Sequence, residues 1–241
     1  MTREPVIWHD LECGGYAEDL ALWRELAQHR GGPVLDIGAG TGRVALDLAR
    51  HGVEVVAVDV DEDLAAALRE RAAGLPVEVV CADGRDLELG RRFPLVLVPM
   101  QTLQLLGGAA PREHLLRAVL AHLAPGGLFA AALADALESF DAKADALPLP
   151  DMREIDGHVF SSRPLAVVDE GDRVAIHRLR EIVAPDGRRE VSDDVVRLDR
   201  VDADELGREA AALGFTVLAP RVIPATEEYV GSTVVLLEAP R

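Results

Sequence analysis

Three glycines and two acids in the first quarter of the chain have the residue types of a ligand site. The stretch VLDIGAGTGR, from Val34 to Arg43, contains Asp36 followed by glycines at positions 38, 40 and 42. Asp59 lies at the end of the next apolar run. Glycine has no Cβ, so the chain can turn sharply there and a ligand can lie against bare backbone. A carboxylate only accepts hydrogen bonds, so Asp59 suits a ligand with two neighbouring hydroxyl groups. Spacing of this kind is shared by dinucleotide enzymes and by plain turns, so by itself it is a weak signal.

The elements around these residues alternate between strand and helix patterns. Short β-branched runs lie at 34–37, 53–60, 77–83, 95–100 and 128–133, and helical patterns lie at 41–51, 61–73 and 112–123. Strands that are nearly continuous in apolar residues and separated by helices predict a parallel sheet covered on both faces. The glycine turn would then lie at the carboxyl end of the first strand.

The pattern changes after about residue 150. Extended runs at 158–168, 173–183 and 188–201 are separated by the turn signals DEGD and PDG, which predicts an antiparallel meander. A helix follows, with Asp202 as its N-cap and Gly214 at its end, and two final strands are predicted at 215–223 and 232–240.

Four segments follow from this pattern. We expect an N-terminal helical cap at 1–30, a ligand-binding core at 31–135, an antiparallel β insertion at 136–201, and a final helix with two strands at 202–241 that complete the core sheet.

Composition excludes several classes of partner. The chain has 241 residues and a formal charge of −17, which disfavours a nucleic-acid partner because phosphate binding needs clustered Lys and Arg. No apolar run approaches the length of a membrane span, and the N-terminus does not read as a signal peptide, so we expect a cytoplasmic protein without a membrane partner. Cys13 and Cys81 are too few for a disulfide framework and have no metal-binding spacing, so no metal is expected.

The segment DIGAGTG, Asp36 to Gly42, together with Asp59, resembles motif I of the class I S-adenosylmethionine-dependent methyltransferases. The resemblance extends over about residues 16–135. It implies a doubly wound, Rossmann-like α/β sheet that is mostly parallel with an antiparallel last strand and has helices on both faces. It also implies S-adenosyl-L-methionine as cofactor and S-adenosyl-L-homocysteine as product. The cofactor-binding residues that it implies are Tyr16, Asp36, Gly38, Ala39, Gly40, Gly42, Asp59, Val60, Leu64, Asp83, Gly84 and Met100.

The resemblance also implies individual roles. The glycine turn would lie beside the amino-acid part of the cofactor, and Asp59 would bind both ribose hydroxyls. Leu64 would lie against the adenine, and Asp83 in CADGRDL would meet the adenine amino group near the backbone of Gly84. Tyr16 resembles a tyrosine that often faces the cofactor carboxylate. Each residue also has a structural interpretation: Asp59 as a helix N-cap, Leu64 as core, and Tyr16 as a packing side chain.

Two features of the sequence after the fourth strand narrow the type of methyl acceptor. The sequence at the end of the fourth strand is VPMQT, whereas enzymes that methylate base or amide nitrogen have an Asn-Pro-Pro-Tyr type of sequence there. No Pro-Cys nucleophile stands there either, which disfavours cytosine C5 chemistry. Phe93-Pro94 replaces a frequent Phe-Asp of largely structural role.

The expected function is therefore methyl transfer to nitrogen or oxygen of a small molecule by in-line displacement. The sequence does not identify a catalytic residue; candidates for a base are His9, His158, His177, Glu227, Glu228 and Tyr229. The insertion would cover the acceptor or form a homodimer contact. Two other functions stay open: a nicotinamide-dependent oxidoreductase, and a methyltransferase fold that binds without catalysing transfer.

Overall fold

The structure is a computed structural model that describes residues 4–134, 140–141, 149–226 and 229–241. The helices in these ranges are α1 (Glu4–Cys13), α2 (Leu20–Arg30), α3 (Arg43–Arg50), α4 (Glu62–Arg71), α5 (Ala109–His122) and α6 (Ala203–Ala212). The strands are β1 (Val34–Ile37), β2 (Val55–Asp59), β3 (Val77–Cys81), β4 (Phe93–Val98), β5 (Leu123–Ala134), β6 (Phe140–Asp141), β7 (Asp151–Ile155), β8 (His158–Asp169), β9 (Arg173–Val183), β10 (Arg189–Asp199), β11 (Thr216–Val217), β12 (Arg221–Ile223) and β13 (Ser232–Glu238). Short 3-10 turns lie at Gly84–Asp86 and Thr102–Leu105.

The chain divides into two units. The larger unit contains Tyr16–Asp135 and Val201–Arg241, and the smaller contains Met1–Gly15 and Ala136–Arg200. The N-terminal segment 1–30 is therefore divided, because α1 belongs to the smaller unit and α2 to the larger.

The larger unit is built on one mixed sheet in the order β11-β13-β5-β4-β1-β2-β3, with β12 also paired to β13. β1 pairs in parallel with β2 and β4, β2 with β3, and β4 with β5, whereas β13 runs antiparallel to β5. The predicted Rossmann-like sheet with an antiparallel last strand is confirmed. The carboxyl ends of β1 to β4 share one edge, where ligands bind in open α/β sheets.

Both faces of this sheet are buried because alternate residues enter two different hydrophobic clusters. Leu35 and Val96 belong to one cluster with residues of α5 and α6. Val34 and Leu95 belong to the other with residues of α2, α3 and α4. Strands buried on both faces explain why the sequence runs are apolar at nearly every position.

Side-chain caps fix where two of the covering helices begin. The Asp61 carboxylate accepts hydrogen bonds from the amides of Asp63 (2.8 Å) and Leu64 (3.2 Å) at the start of α4. Asp202 accepts from the Glu205 amide at 2.7 Å and begins α6, as the sequence predicts.

A buried arginine joins α5 to α6. Arg112 is 3% exposed, and its guanidinium donates to the Glu209 carboxylate at 2.6 and 3.1 Å and to Glu205 at 2.9 Å. This charge would be costly to bury without its two acidic partners.

The smaller unit is the predicted antiparallel meander with additional elements. Its strands run in the order β10-β9-β8-β6, and β7 also pairs with β8. β7 was not predicted, although Asp156-Gly157 between β7 and β8 is the type of dipeptide that favours a tight hairpin turn. Asp156 and Gly157 both have positive φ, at 50° and 76°, as such a turn requires.

Helix α1 is held to the meander by one partly buried carboxylate. Glu12 accepts from both Nε and Nη2 of Arg180 at 2.8 Å, and from the buried Ser162 hydroxyl at 2.7 Å. Trp8 packs edge-on against Phe160, with ring centroids 5.5 Å apart. Burial raises and the Arg180 hydrogen bonds lower the pKa of Glu12, and the net direction is down.

One predicted strand is wrong in its extent. The segment 215–223 contains two short strands, β11 and β12, which pair with different parts of β13. The break falls at Ala219-Pro220, because proline has no amide hydrogen to donate to the ladder. No helix in the described part of the chain is both long and apolar enough to cross a bilayer.

Candidate functional site

The turn between β1 and α3 is formed by glycines in left-handed conformations. Gly38, Gly40 and Gly42 have φ of 75°, 56° and 99°. The amides of Gly38 and Ala39 donate to the Val58 carbonyl at 2.8 and 3.0 Å, and the Gly42 amide donates to the Ala39 carbonyl at 2.9 Å. The turn is therefore tied to the end of β2, the strand that carries Asp59.

Neighbouring side chains leave no room for a Cβ at two of these glycines. A Cβ on Gly38 would collide with the Thr102 side chain, and one on Gly42 would collide with Leu68 of α4. The glycine turn is thus packed against the segment after β4 at Gly38 and against α4 at Gly42. Glycine at both positions is thus required by conformation and by packing.

Asp59 is oriented by two backbone amides. Its Oδ2 accepts from the Gly40 amide at 2.7 Å, and its Oδ1 accepts from the Asp61 amide at 2.9 Å. The cap of α4 is Asp61, so Asp59 is not the N-cap of that helix. Each oxygen of a carboxylate can accept more than one hydrogen bond, so Asp59 keeps acceptor capacity. Val60, the next residue, is 70% exposed.

Asp36 is fully buried on β1. Its side-chain oxygens have no hydrogen-bond partner among the described residues. Burial raises its pKa from 3.8 to about 7, against the opposing effect of the Arg43 guanidinium. The neighbouring charges of Asp59 and Asp19 act in the same direction as burial.

A buried ion pair lies beside this acid. The guanidinium of Arg43 donates to both carboxylate oxygens of the fully buried Asp19, at 2.5 and 2.7 Å, and to the Tyr16 carbonyl at 3.0 Å. Arg43 also lies 5.0 Å from the centroid of the Tyr16 ring. The Tyr16 ring is 5.0 Å from that of Tyr229, and burial raises the pKa of Tyr16.

Sequence reasoning missed Asp19 and Arg43. The available signal was the basic residue directly after the glycine turn, at the first position of α3. Asp19 precedes α2 like an N-cap, but its side chain makes no cap hydrogen bond and pairs with Arg43 instead. The partner of Arg43 is distant in sequence, so the pattern alone did not indicate it.

Asp83 follows β3 and is bound to a neighbouring arginine. Its carboxylate accepts from the Arg85 amide at 2.9 Å and from the Arg85 guanidinium at 2.5 to 3.1 Å, which holds its pKa below the usual range. Gly84 lies close to β1, since a Cβ there would be 2.6 Å from Cγ2 of Ile37. Leu64 is partly buried on the first turn of α4.

The segment after β4 is held against the glycine turn. Met100 is partly buried and has φ of 54°, a value uncommon for residues other than glycine. The Thr102 hydroxyl donates to the Pro99 carbonyl at 3.1 Å, and buried Gln104 accepts from the Ala134 amide at 2.8 Å. These bonds fix the segment at both ends.

The structure does not single out a base among the sequence candidates. His9, His158 and His177 belong to the smaller unit, and the Tyr229 ring contacts that of Tyr16 in the larger at an interplanar angle of 58°. Glu227 and Glu228 lie outside the described residues.

Comparison with known proteins identifies the domain around this turn. Residues 34–127 match the family model described as a methyltransferase domain. A cypemycin N-terminal methyltransferase from Streptomyces sp is 36% identical over 111 residues, which is 45% of this chain and 44% of the relative. The match therefore spans less than half the length of that curated relative.

Two solved structures extend the similarity to nearly the whole chain. A sugar N-methyltransferase from Streptoalloteichus sp has a TM-score of 0.74 and 20% identity, covering 100% of this chain and 94% of the other, which shows the shared fold. A glycopeptide N-methyltransferase complexed with S-adenosyl-L-methionine has a TM-score of 0.61 and 28% identity, covering 94% and 96% of the two chains.

Proposed function

We propose that this chain is a class I S-adenosylmethionine-dependent methyltransferase that transfers a methyl group to a small molecule. The methyltransferase domain matched at residues 34–127 supports this proposal. The observation that carries the proposal is the junction of the glycine turn with Asp59. The Gly40 amide holds the carboxylate of Asp59 at 2.7 Å, at the edge of the sheet where ligands bind. An acceptor-only group fixed there suits the hydroxyl pair of a ribose.

The hydrogen bonding of the turn favours this cofactor over a dinucleotide. Dinucleotide sites of this fold use turn amides and a helix N-terminus to bind a pyrophosphate. Here the amides of Gly38, Ala39, Gly40 and Gly42 all donate to groups of the protein itself. These amides are therefore not free to bind a pyrophosphate, whereas S-adenosylmethionine contains no phosphate and does not require them.

The remaining residues would hold the rest of this cofactor. Asp59 would take the ribose, Leu64 and Asp83 the adenine, and Gly38 to Gly40 the amino-acid part. When bound, the cofactor supplies a methyl carbon as the electrophile on a positively charged sulfur, and neutral S-adenosylhomocysteine is the leaving group.

The contribution of the protein to transfer would be positioning and exclusion of water. In-line displacement requires the acceptor atom to be held about 3 Å from the methyl carbon. The segment from Met100 to Leu106, anchored through Thr102 and Gln104, is the part of the larger unit that we propose contacts the acceptor. A neutral amine acceptor needs to lose its proton only after transfer begins, so a strong base is not required.

Nitrogen in a small molecule or peptide is the acceptor that we favour. The three proteins named above are described as a cypemycin N-terminal methyltransferase, a sugar N-methyltransferase and a glycopeptide N-methyltransferase. The formal charge of −17 would attract an amine-bearing substrate over long range. We propose a small molecule rather than nucleic acid as partner, and a homodimer contact through the insertion.

Calorimetric titration tests the cofactor assignment. S-adenosylmethionine and S-adenosylhomocysteine should bind the wild-type chain and NAD should not. Asp59→Ala should weaken the binding of both sulfur nucleotides, while Glu70→Gln, at an exposed position of α4, should leave their binding unchanged. Failure of both sulfur nucleotides to bind the wild-type chain would overturn the proposal.

Turnover tests transfer separately from binding. Purified protein would be incubated with S-adenosylmethionine and matched amine and alcohol acceptors, with S-adenosylhomocysteine release and acceptor mass as readouts. Methylation confined to amines supports the nitrogen assignment. Tight cofactor binding without turnover of any acceptor would favour the non-catalytic alternative.

A further inference from the structure

The smaller unit contains a cavity of about 330 Å³, and none of its lining residues is one that we propose to hold the cofactor. Every residue that lines it belongs to this unit, and these residues come from α1, from strands β7 to β10, and from the turns between β7 and β8 and between β9 and β10. The volume is in the range of small-molecule sites.

The floor of the cavity is apolar and fixed by packing. It is formed by Ile7, Ile155, Phe160, Ile182 and Ala184. Ile7 and Phe160 are 5% and 7% exposed and belong to the hydrophobic cluster of this unit. The floor is thus preformed, and apolar surface of a ligand would be removed from water there.

The rim of the cavity is negatively charged. Three carboxylates, those of Glu4, Asp156 and Glu190, line it together with a single guanidinium, that of Arg188. Arg188 already pairs with Glu190 at 3.3 Å, so two negative charges are left.

Both of these remaining carboxylates are available to a ligand. The Asp156 carboxylate has no hydrogen bond or ion pair with any other residue that the structure describes, and the hairpin turn places it at the mouth. Oε1 of Glu4 accepts from Nε1 of Trp8 at 3.0 Å, which holds this carboxylate in place. An anionic ligand would be repelled, and a neutral one would gain nothing from the rim.

We infer that this cavity binds a small molecule with an apolar or aromatic body and one positively charged amine. The apolar floor takes the body, and the carboxylates of Asp156 and Glu4 take the ammonium group. The inference rests on residues of the smaller unit alone, whereas the residues that we propose to hold the cofactor belong to the larger unit.

A matched probe series tests the inference by calorimetry on the full chain. Phenylbutylamine, phenylbutanol and phenylbutanoate share one apolar body and differ in charge. The expected order of affinity is amine, then alcohol, then carboxylate. Equal affinities, or no binding by any of the three, would overturn the inference.

Variants locate the binding. Asp156→Asn keeps a dipeptide suited to the same turn and should weaken the amine roughly two- to fivefold without affecting the alcohol. Asp172→Asn, at an exposed turn outside the cavity, should change neither. Ala184→Trp should remove binding of both by filling the cavity.

Two further results would contradict the inference. If Asp59→Ala abolished amine binding, the probe would lie at the cofactor site rather than in this cavity. If sedimentation showed a dimer that Ala184→Trp converts to a monomer, the cavity would be part of an interface between two copies.

Discussion

The amide of Gly40 donates a 2.7 Å hydrogen bond to Oδ2 of Asp59, which joins the turn after β1 to the acid at the end of β2. The same carboxylate accepts from the Asp61 amide, so its orientation is set by backbone on both sides. A ligand that binds Asp59 would therefore meet a carboxylate that needs little reorganisation.

Asp59→Asn should weaken binding of S-adenosylmethionine roughly tenfold to a hundredfold, because it removes charge-assisted hydrogen bonds to the ligand. Asparagine keeps one oxygen that can accept from the Gly40 amide, so the fold should be retained. Calorimetry measures the affinity, and thermal unfolding checks stability. An unchanged affinity would separate Asp59 from the cofactor.

Gly38→Ala should destabilise the protein by about 3 kcal/mol, from left-handed strain together with collision against Thr102. Adding Thr102→Ala should restore roughly two thirds of this loss, because the collision is removed and the strain of about 1 kcal/mol remains. Urea unfolding measures each variant.

Gly52→Ala is the control for strain alone. Gly52 has φ of 82°, and no atom lies within 4 Å of a Cβ built there. Gly52→Ala should therefore destabilise the protein by about 1 kcal/mol, which is the cost of left-handed strain without a collision. Equal losses at Gly38 and Gly52 would show that the Thr102 contact is not tight.

Asp36 should make stability fall with rising pH between about pH 4 and pH 7. Its pKa is raised in the folded state from 3.8 to about 7, so folding favours the protonated form. The resulting stability is present below the unfolded pKa, is lost as the pH rises through the folded pKa, and amounts to at most about 4 kcal/mol.

Asp36→Asn isolates this effect, because asparagine does not titrate. The difference in unfolding free energy between the variant and the wild type should change across this pH range in favour of the variant, and should be constant above it. Urea unfolding at a series of pH values measures it. A difference that is flat with pH would contradict the raised pKa.

Arg112→Ala should destabilise the larger unit by about 3 kcal/mol, because Glu205 and Glu209 would lose their buried partner. Arg117→Ala on the same helix is the matched control. Arg117 is 61% exposed and pairs with Glu113 one turn away, so its loss should cost at most about 0.5 kcal/mol. Similar losses for the two variants would argue against a special role for Arg112.

The sequence by itself determined the elements whose signals are local. The glycine turn, the buried parallel strands and the Asp202 cap depend on residues close together in the chain, whose types fix the backbone conformation. The family resemblance at Asp36 to Gly42 is of the same local kind.

Only the tertiary structure decided which distant residues meet. The pairing of Asp19 with Arg43, the contact of Thr102 with Gly38, and the binding of α1 to the meander through Glu12 join segments far apart in sequence. The role of Asp59 also depends on a contact with another segment. Its carboxylate accepts from the Gly40 amide, and Asp61 caps α4 instead. Periodicity records which side of an element is buried, but it does not record which partner covers that side.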